Sequence, residues 1–330
     1  MSRRSRVAVA VAVVCCAGGG AASWAAFFST TTSSDNSAAT AGSFAHLQMQ
    51  TGSYSGNATD NRAITGLSFQ PDLVLVKGNN TQTGAVRTAT MTGDASKPLA
   101  AATALSTGHI KALNATSFQV GTNARVNASG VAYNWVAFKA AAGVLKVGTY
   151  TGNGTSQSIT GAGFSPEYAM VFSANTGRAH QRMAGSARSF RFESETGLTT
   201  RVTSLNGDGF SVGNSTEANA NGVVYHYVLF NERGATVRAA SYTGNGAART
   251  IGDVGFQPAW VIVRADDTMT ARNGRHRPAS LTGTSSQHFT NAVNGTGAIT
   301  AFNPTGFDVG TSAEVNANGV TYRYVAFKAR

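Results

Sequence analysis

The chain has 330 residues, of which 42% are hydrophobic and 12% are charged, and its formal net charge is +11. This hydrophobic content supports packed cores, and with 38 glycines but only 6 prolines it excludes an intrinsically disordered or collagen-like chain. The absence of a series of long apolar runs excludes a multipass membrane protein. The length allows two or three domains of ordinary size.

Residues 1–26 have the layout of a secretory signal peptide. A cationic start at Ser2–Arg6 precedes the apolar run Val7–Ala17, and small residues follow around Ala25. We therefore expect a bacterial protein that is secreted or displayed on the cell surface, by the general or the twin-arginine route. The alternative is an uncleaved signal anchor, which would be the protein's one contact with a membrane.

Both cysteines, Cys15 and Cys16, lie inside this first segment. The cleaved chain would therefore have no disulfide, no thiolate metal site and no cysteine nucleophile. Residues 29–43 are rich in Ser, Thr and Ala and contain no bulky apolar side chain, so we expect a flexible linker over residues 27–44.

The rest of the chain contains one pattern three times, at spacings of about 92 to 97 residues. Each copy begins with Tyr-x-Gly-Asn, continues with Phe-x-Pro before an apolar strand, and closes with Phe-x-Val-Gly and Asn-Ala-x-Gly. The first residues of these motifs are Tyr54, Tyr150 and Tyr242; Phe69, Phe164 and Phe256; Phe118, Phe210 and Phe307; and Asn127, Asn219 and Asn316. A period this long is typical of a repeated domain rather than of a solenoid or a propeller blade.

Each copy consists of short runs of Val, Ile, Phe and Tyr between Gly and Asn turns, without helical periodicity. This pattern predicts an all-β fold of three tandem, jelly-roll-like antiparallel β-sandwich modules. We place repeat 1 at residues 45–141, repeat 2 at 142–234 and repeat 3 at 235–330, each as a domain in its own right.

The repeat resembles the concanavalin A-like lectin/glucanase (jelly-roll) module of uncharacterised type in phage tail-fibre-like and secreted bacterial proteins. The resemblance covers residues 45–330 and rests on Tyr-x-Gly-Asn, Gly-Phe-x-Pro, Gly-Phe-x-Val-Gly and the closing Asn-x-x-Gly-x-x-Tyr. It implies binding at a surface, often to glycans. The Asp-x-x-Arg-Gly segment usual in that module is missing here, which puts any ligand role of that segment in doubt.

Three groups of side chains are candidate ligand contacts. Aromatic rings stack on sugars and amides bind hydroxyls, so the Tyr and Asn of the motif at the start of each repeat form the first group. One position of the last strand carries a different polar side chain in each repeat, and we interpret it as solvated. A basic strand is interpreted as a surface patch that binds anionic groups. The residues are Tyr54, Asn57, Tyr150, Asn153, Tyr242 and Asn245; Asn134, His226 and Arg323; and His180, Arg182 and His276.

Catalytic and metal sites have little support in the sequence. Glu193 and Glu195 could share one face of a strand, as a glycoside hydrolase would need, but the other repeats have no equivalent pair. The histidines show no spacing typical of metal ligands. A calcium site is the one alternative, through backbone carbonyls that form no linear motif. We therefore expect no enzyme, no cofactor and no nucleic-acid partner.

The leading hypothesis is a non-catalytic binding or adhesion protein. Its partner would be an extracellular glycan or an anionic envelope polymer, attracted by the net positive charge and held by three weak sites together. The alternative is a self-associating structural protein of a surface layer, appendage or coat, because repeated β modules can expose strand edges.

Overall fold

The computed structural model describes residues 46–232, 236–266 and 271–329. The predicted signal peptide and linker, residues 1–26 and 27–44, lie outside these ranges. Within them, no helix is both long and apolar enough to cross a membrane. The described chain is all-β, so the predicted fold class of antiparallel sandwich modules is confirmed.

Repeat 1 contains eight strands and one short helix. In chain order these are β1 (Gln48–Ser55), β2 (Arg62–Thr65), β3 (Leu73–Gly78), β4 (Ala85–Thr88), β5 (Lys97–Pro98), β6 (Ile110–Asn114), β7 (Ser117–Val120), α1 (Ala124–Asn127) and β8 (Ala132–Lys139).

Repeat 2 has the same order of elements. They are β9 (Leu145–Thr151), β10 (Gln157–Thr160), β11 (Tyr168–Ser173), β12 (His180–Met183), β13 (Phe190–Arg191), β14 (Val202–Asn206), β15 (Gly209–Val212), α2 (Thr216–Asn219) and β16 (Val224–Phe230).

Repeat 3 adds one short strand. Its elements are β17 (Val237–Thr243), β18 (Arg249–Ile251), β19 (Trp260–Ala265), β20 (Arg275–Pro278), β21 (Ser285–His288), β22 (Gly295–Thr296), β23 (Ile299–Asn303), β24 (Gly306–Val309), α3 (Ala313–Asn316) and β25 (Thr321–Phe327).

Each repeat folds into two antiparallel sheets. The large sheet of repeat 1 has the order β1-β8-β3-β4-β5 and its small sheet β2-β7-β6, and the other repeats follow the same order, with β22 extending the large sheet of repeat 3. A separate apolar core fills the space between the two sheets of each repeat.

The large sheets are buried on both faces. The strands β3, β11 and β19 are buried along their whole length, because one face packs on the small sheet of the same repeat and the other on the neighbouring repeats. A strand covered on both sides needs a continuous apolar run rather than alternation, as in Leu73–Val76.

The second face of the three large sheets forms one shared core on a pseudo-threefold axis. Phe138, Phe230 and Phe327, at the same position in each repeat, have ring centroids 5.2, 5.3 and 4.9 Å apart. Tyr168 stacks on Phe230, and Trp260 stacks on Phe327. We expected each repeat to be a domain in its own right; residues from 45 onward form one compact unit, in which the three repeats share this core.

Three seams of the same kind close the ring. The loop after the fourth strand of one repeat contacts the last strand of the next, so that repeat 1 packs on repeat 2, repeat 2 on repeat 3, and repeat 3 on repeat 1. We name these seam 1–2, seam 2–3 and seam 3–1; their defining side-chain contacts are Thr90 with His226, Ala184 with Arg323, and Ser280 with Asn134.

The shared core predicts a single unfolding transition. We expect Phe230→Ala to lower the free energy of unfolding by about 3–5 kcal/mol, because it removes a fully buried ring and leaves a cavity. Guanidinium denaturation followed by circular dichroism and by tryptophan fluorescence tests this, with Trp135 in repeat 1 and Trp260 in repeat 3 as probes.

Leu198→Ala is the control, since that side chain is 44% exposed, and we expect a change within about 0.5 kcal/mol. At pH 7.5, a fluorescence transition that differs from the circular dichroism transition, or a loss confined to repeat 2, would contradict the shared core.

Candidate functional site

The repeated tyrosines are structural. Tyr150 stacks on Tyr225 with ring centroids 5.0 Å apart, and its hydroxyl donates to Ala218 O at 2.5 Å. Burial raises the pKa of Tyr150 well above its usual value, which keeps the phenol a donor. Tyr54 and Tyr242 make the same contacts with the carbonyls of Val126 and Val315.

In two of these tyrosines, an arginine covers the ring face opposite the stacked tyrosine. The guanidinium of Arg62 lies 5.2 Å from the centroid of Tyr54, and that of Arg249 lies 5.3 Å from the centroid of Tyr242. With a tyrosine on one face and an arginine on the other, these rings leave no face for a sugar to stack on. The prediction that Tyr54 and Tyr242 contact ligand therefore loses its physical basis.

The repeated asparagines close a turn beside these rings. The side-chain oxygen of Asn153 accepts from Thr155 N at 2.9 Å, and its backbone N–H donates to Oδ1 of Asn219 at 3.0 Å. Asn57 and Asn245 repeat this arrangement with the buried Asn127 and Asn316. All three turn asparagines are exposed, but their side-chain oxygens are engaged.

The glycine of the motif follows from the same geometry. A Cβ on Gly152 would lie 2.2 Å from Ala220 O, so only glycine permits the approach of the two loops. The buried asparagines that bind this turn, Asn127, Asn219 and Asn316, were not among our candidates, although the Asn-Ala-x-Gly motif contains them. The motif therefore marks a buried corner of the fold.

The variable strand position is not solvated, which corrects our interpretation of Asn134, His226 and Arg323. Asn134 and His226 are each 5% exposed, because their strand face lies in the seams. Oδ1 of Asn134 accepts from Ser280 Oγ at 2.9 Å, and Nδ1 of His226 lies 2.8 Å from Thr90 Oγ1.

Arg323 occupies the same position in seam 2–3. It donates to Ala184 O at 3.0 Å and to Gly185 O, and it pairs with Asp266. The side chain at this position therefore differs between repeats because each contacts a different loop of a neighbouring repeat.

The predicted basic surface strand is buried as well. His180 and His276 are at most 1% exposed, and Arg182 is 8% exposed. The face of β12 and β20 that we expected in solvent packs inside the sandwich or on the axis. Arg182 donates to Val202 O at 2.9 Å, and its counterparts Arg87 and Arg277 bind loop carbonyls in the same way.

Burial removes the excess positive charge from the surface. Eight basic side chains are buried and no acidic one is: Lys77, Arg87, Lys97, Arg182, Arg201, Arg264, Arg275 and Arg277. The remaining described residues comprise thirteen basic and thirteen acidic side chains. Among the described residues, the side chains outside the buried set therefore show no excess of basic over acidic groups, which removes the electrostatic argument for an anionic polymer partner from this part of the chain.

The candidate hydrolase pair lies in a network of ion pairs. Glu195 binds Arg201 at 2.7 Å, and Glu193 pairs with Arg178. Glu217 joins the network through Arg201 and Arg191, both at 2.6 Å. The backbone carbonyls of Glu193 and Glu195 also accept from Arg264 of repeat 3. The carboxylates are thus bound by arginines at seam 2–3 and do not face each other across a cleft.

The described residues contain no group of three or more His, Cys, Asp or Glu side chains placed to hold a metal ion. The expectation of no cofactor stays a prediction.

The remaining accessible element common to all repeats is the outer face of the small sheet. We name these faces the outer faces. Ala63, Ser158 and Thr250 occupy the same exposed position on β2, β10 and β18. Their neighbours on the sheet are short polar side chains that bond to one another, as in Ser158 Oγ with Ser211 Oγ at 2.9 Å and Thr250 Oγ1 with Asp308 at 2.6 Å.

The side chains named on these faces carry hydroxyls and amides, and Asp308 is the one charged group among them. Asn114 and Ser117 in repeat 1, and Asn206 and Ser211 in repeat 2, extend the same chemistry across each sheet. Such a surface can exchange hydrogen bonds with a neutral polar polymer. No sequence motif identifies it, because Ser, Thr and Asn are abundant throughout the chain.

Comparison with known proteins gives one family match. A family model described as a domain of unknown function matches residues 45–146 and 232–330. These ranges contain repeats 1 and 3 with short extensions. No curated protein matches the chain.

The corner geometry makes a prediction that separates structure from binding. Replacing Tyr150 by Phe removes the donor to Ala218 O, and we expect the free energy of unfolding to fall by about 1–2 kcal/mol. Thermal denaturation measures this, with Thr151→Ala, an exposed change on the same strand, as the control. Loss of polymer binding without loss of stability would instead identify Tyr150 as a ligand contact.

Proposed function

We propose that this chain, which belongs to the DUF7483 family of domains of unknown function, is a non-catalytic binding protein of the bacterial cell exterior. Its partner is a repetitive, uncharged glycan, and its contacts are the three outer faces. The observation that carries this proposal is the closed pseudo-threefold ring, which directs three equivalent small sheets outward from one rigid body.

Rigid presentation supports multivalent binding. Each outer face offers only a few hydroxyls and amides, so a single face binds weakly. Three faces on one body bind a polymer or a dense surface in succession without ordering any linker between repeats, which limits the entropic cost. The three faces contact different polymer strands, because they point away from one another around the axis.

The balanced surface charge supports a neutral partner. Attraction between an anionic polymer and a protein depends on exposed cations, and the described side chains that are not buried comprise equal numbers of basic and acidic groups. Binding through hydroxyls and amides is also screened little by salt. Both considerations favour a neutral glycan over the anionic envelope polymers that the net charge suggested.

A structural role has one observation in its favour. The strands β1, β9 and β17 each pair on one side only among the described residues, so each large sheet ends in a strand with one unpaired edge. Edges of this kind pair with other chains. Concentration-dependent assemblies in light scattering, together with no affinity for glycans, would support this second candidate.

Co-sedimentation with insoluble glycans and cell-wall polymers tests the proposed function. We expect the full chain to bind a neutral polymer, with an affinity that changes less than threefold between 50 and 300 mM salt. The triple variant Ala63→Lys, Ser158→Lys and Thr250→Lys places one long charged side chain on each outer face and should weaken binding at least tenfold.

The three single variants are the matched controls, and each should lose much less than the triple variant. These positions are exposed, so the folded state should keep its stability within about 0.5 kcal/mol. An unchanged affinity in the triple variant, or binding restricted to anionic polymers and abolished by salt, would overturn the proposal.

A further inference from the structure

The seams that hold repeat 1 differ chemically from the seam between repeats 2 and 3. Seam 1–2 contains His226 of repeat 2 against Thr90 of repeat 1. Seam 3–1 contains Gln287 of repeat 3, which donates to Lys77 O of repeat 1 at 3.2 Å, with His276 beside it on the neighbouring strand. Both seams of repeat 1 thus bury histidine next to lysine.

The two lysines belong to repeat 1 itself. Lys97 is fully buried, and its Nζ donates to Asn175 O at 2.8 Å and Gly177 O at 2.7 Å across seam 1–2. Lys77 is 1% exposed, and its Nζ donates to Asn80 O and to Gly78 O. Neither ammonium group has a carboxylate partner among the described ion pairs.

Seam 2–3 is held in another way. Arg264 donates to the carbonyls of Glu193 and Glu195 at 2.8 and 2.7 Å. Asp266 joins Arg323 to Ser186 Oγ. None of the described hydrogen bonds across this seam uses a histidine or a lysine, and guanidinium groups keep their charge throughout the acidic range.

We infer that acidification opens seams 1–2 and 3–1 while seam 2–3 stays closed, so that repeat 1 separates from repeats 2 and 3 as a unit. A proton on His226 would add a cation beside Lys97, in a seam where the histidine's described partner is the hydroxyl of Thr90. A proton on Nδ1 of His276 would break its bond from Trp260 Nε1, which is 3.2 Å long, and add a cation beside Lys77.

The charged groups that face these histidines favour opening on acidification, because they are cations apart from one carboxylate. Lys97 faces His226. Lys77, Arg275 and His288 face His276. The neighbouring His180 faces Arg201 and Lys97, with Glu217 as the one opposing carboxylate.

The pKa values of the two histidines give the pH range over which the seams open. Burial lowers the pKa of His226 to about 4 and that of His276 well below its usual value, so the closed form holds both neutral. Exposed histidine has a pKa of about 6.5, and the open form therefore takes up protons as the pH falls from about 6.5 to about 4. Burial also lowers the pKa of Lys97 to about 7 and of Lys77 to about 8, so both lysines are protonated in the closed form throughout this acidic range and present cations to the histidines.

Hydrogen–deuterium exchange of the full chain between pH 7.5 and 4.5 tests this inference, with rates corrected for the intrinsic effect of pH. The reporters are Leu105 N, which donates to Ala174 O across seam 1–2, and Gly84 N, which donates to Phe289 O across seam 3–1. We expect both amides to lose protection at least tenfold by pH 5, while strand amides of β19 and β25 keep theirs.

The chain supplies its own conservative substitutions. Asn134 occupies the position of His226 in repeat 1, and Gln181 occupies the position of His276 in repeat 2, where it accepts from Tyr168 as His276 accepts from Trp260. The double variant His226→Asn and His276→Gln should lower the pH of opening by about one unit or more. His46→Gln, at an exposed position, is the control and should change nothing.

Three results would overturn the inference. One is loss of protection in all three repeats together, which means global unfolding. Another is full protection of Leu105 and Gly84 down to pH 4.5. The third is an unchanged pH of opening in the double variant once circular dichroism shows that it is folded at pH 7.5. The exchange data on the unaltered chain decide the first two even if the variant does not fold.

Discussion

The axial core is the constraint on which the rest of the structure depends. Each large sheet has apolar side chains on both faces, and its own small sheet covers only one of them. A single repeat would leave Leu73, Leu75, Val136 and Phe138 of one sheet in water, which is unfavourable by roughly 25 cal/mol for each Å² of apolar surface. The three repeats therefore stabilise one another, and the rigid presentation of the outer faces follows from this mutual burial.

Buried arginine is the second feature that organises the molecule. Arg87 and Arg277 each donate to several loop carbonyls, and Arg182 donates to the carbonyl of Val202 in β14. A buried cation is costly unless it is hydrogen-bonded, and the Nη atoms of these guanidinium groups donate to main-chain carbonyls, while Nε of Arg87 and of Arg277 has no partner among the described residues. This use of arginine separates the composition of the chain from the charge of its surface.

The sequence predicted the local structure well and the assembly poorly. The motifs led correctly to antiparallel strands, to sandwich modules and to the inner face of the last strand, since alternation identifies a face against one core. The opposite face carries Val136 and Phe138 next to the polar Asn134. We interpreted this face as solvated because the polar residue at the position of Asn134 differs from repeat to repeat. Closure into a ring depends on contacts such as that of Thr90 with His226, 136 residues apart, and no periodicity indicates such a contact. The repeated Tyr and Asn were conspicuous for the same physical reason that makes them structural: they make the same hydrogen bonds at the corner of every repeat.

Threefold closure also has a consequence for chain connectivity. The chain passes from β8 to β9 through residues 140–144 and from β16 to β17 through residues 231–236, and each link joins equivalent ends of adjacent repeats. Leu47 and Phe327, which lie at the beginning and the end of the described fold, both pack in the axial core, where a third link of the same kind would run. The order of the repeats along the gene is therefore not fixed by the fold. A circular permutant that begins at repeat 2 and connects repeat 3 to repeat 1 would preserve every seam, which makes this architecture tolerant of duplication and fusion at any of its three junctions.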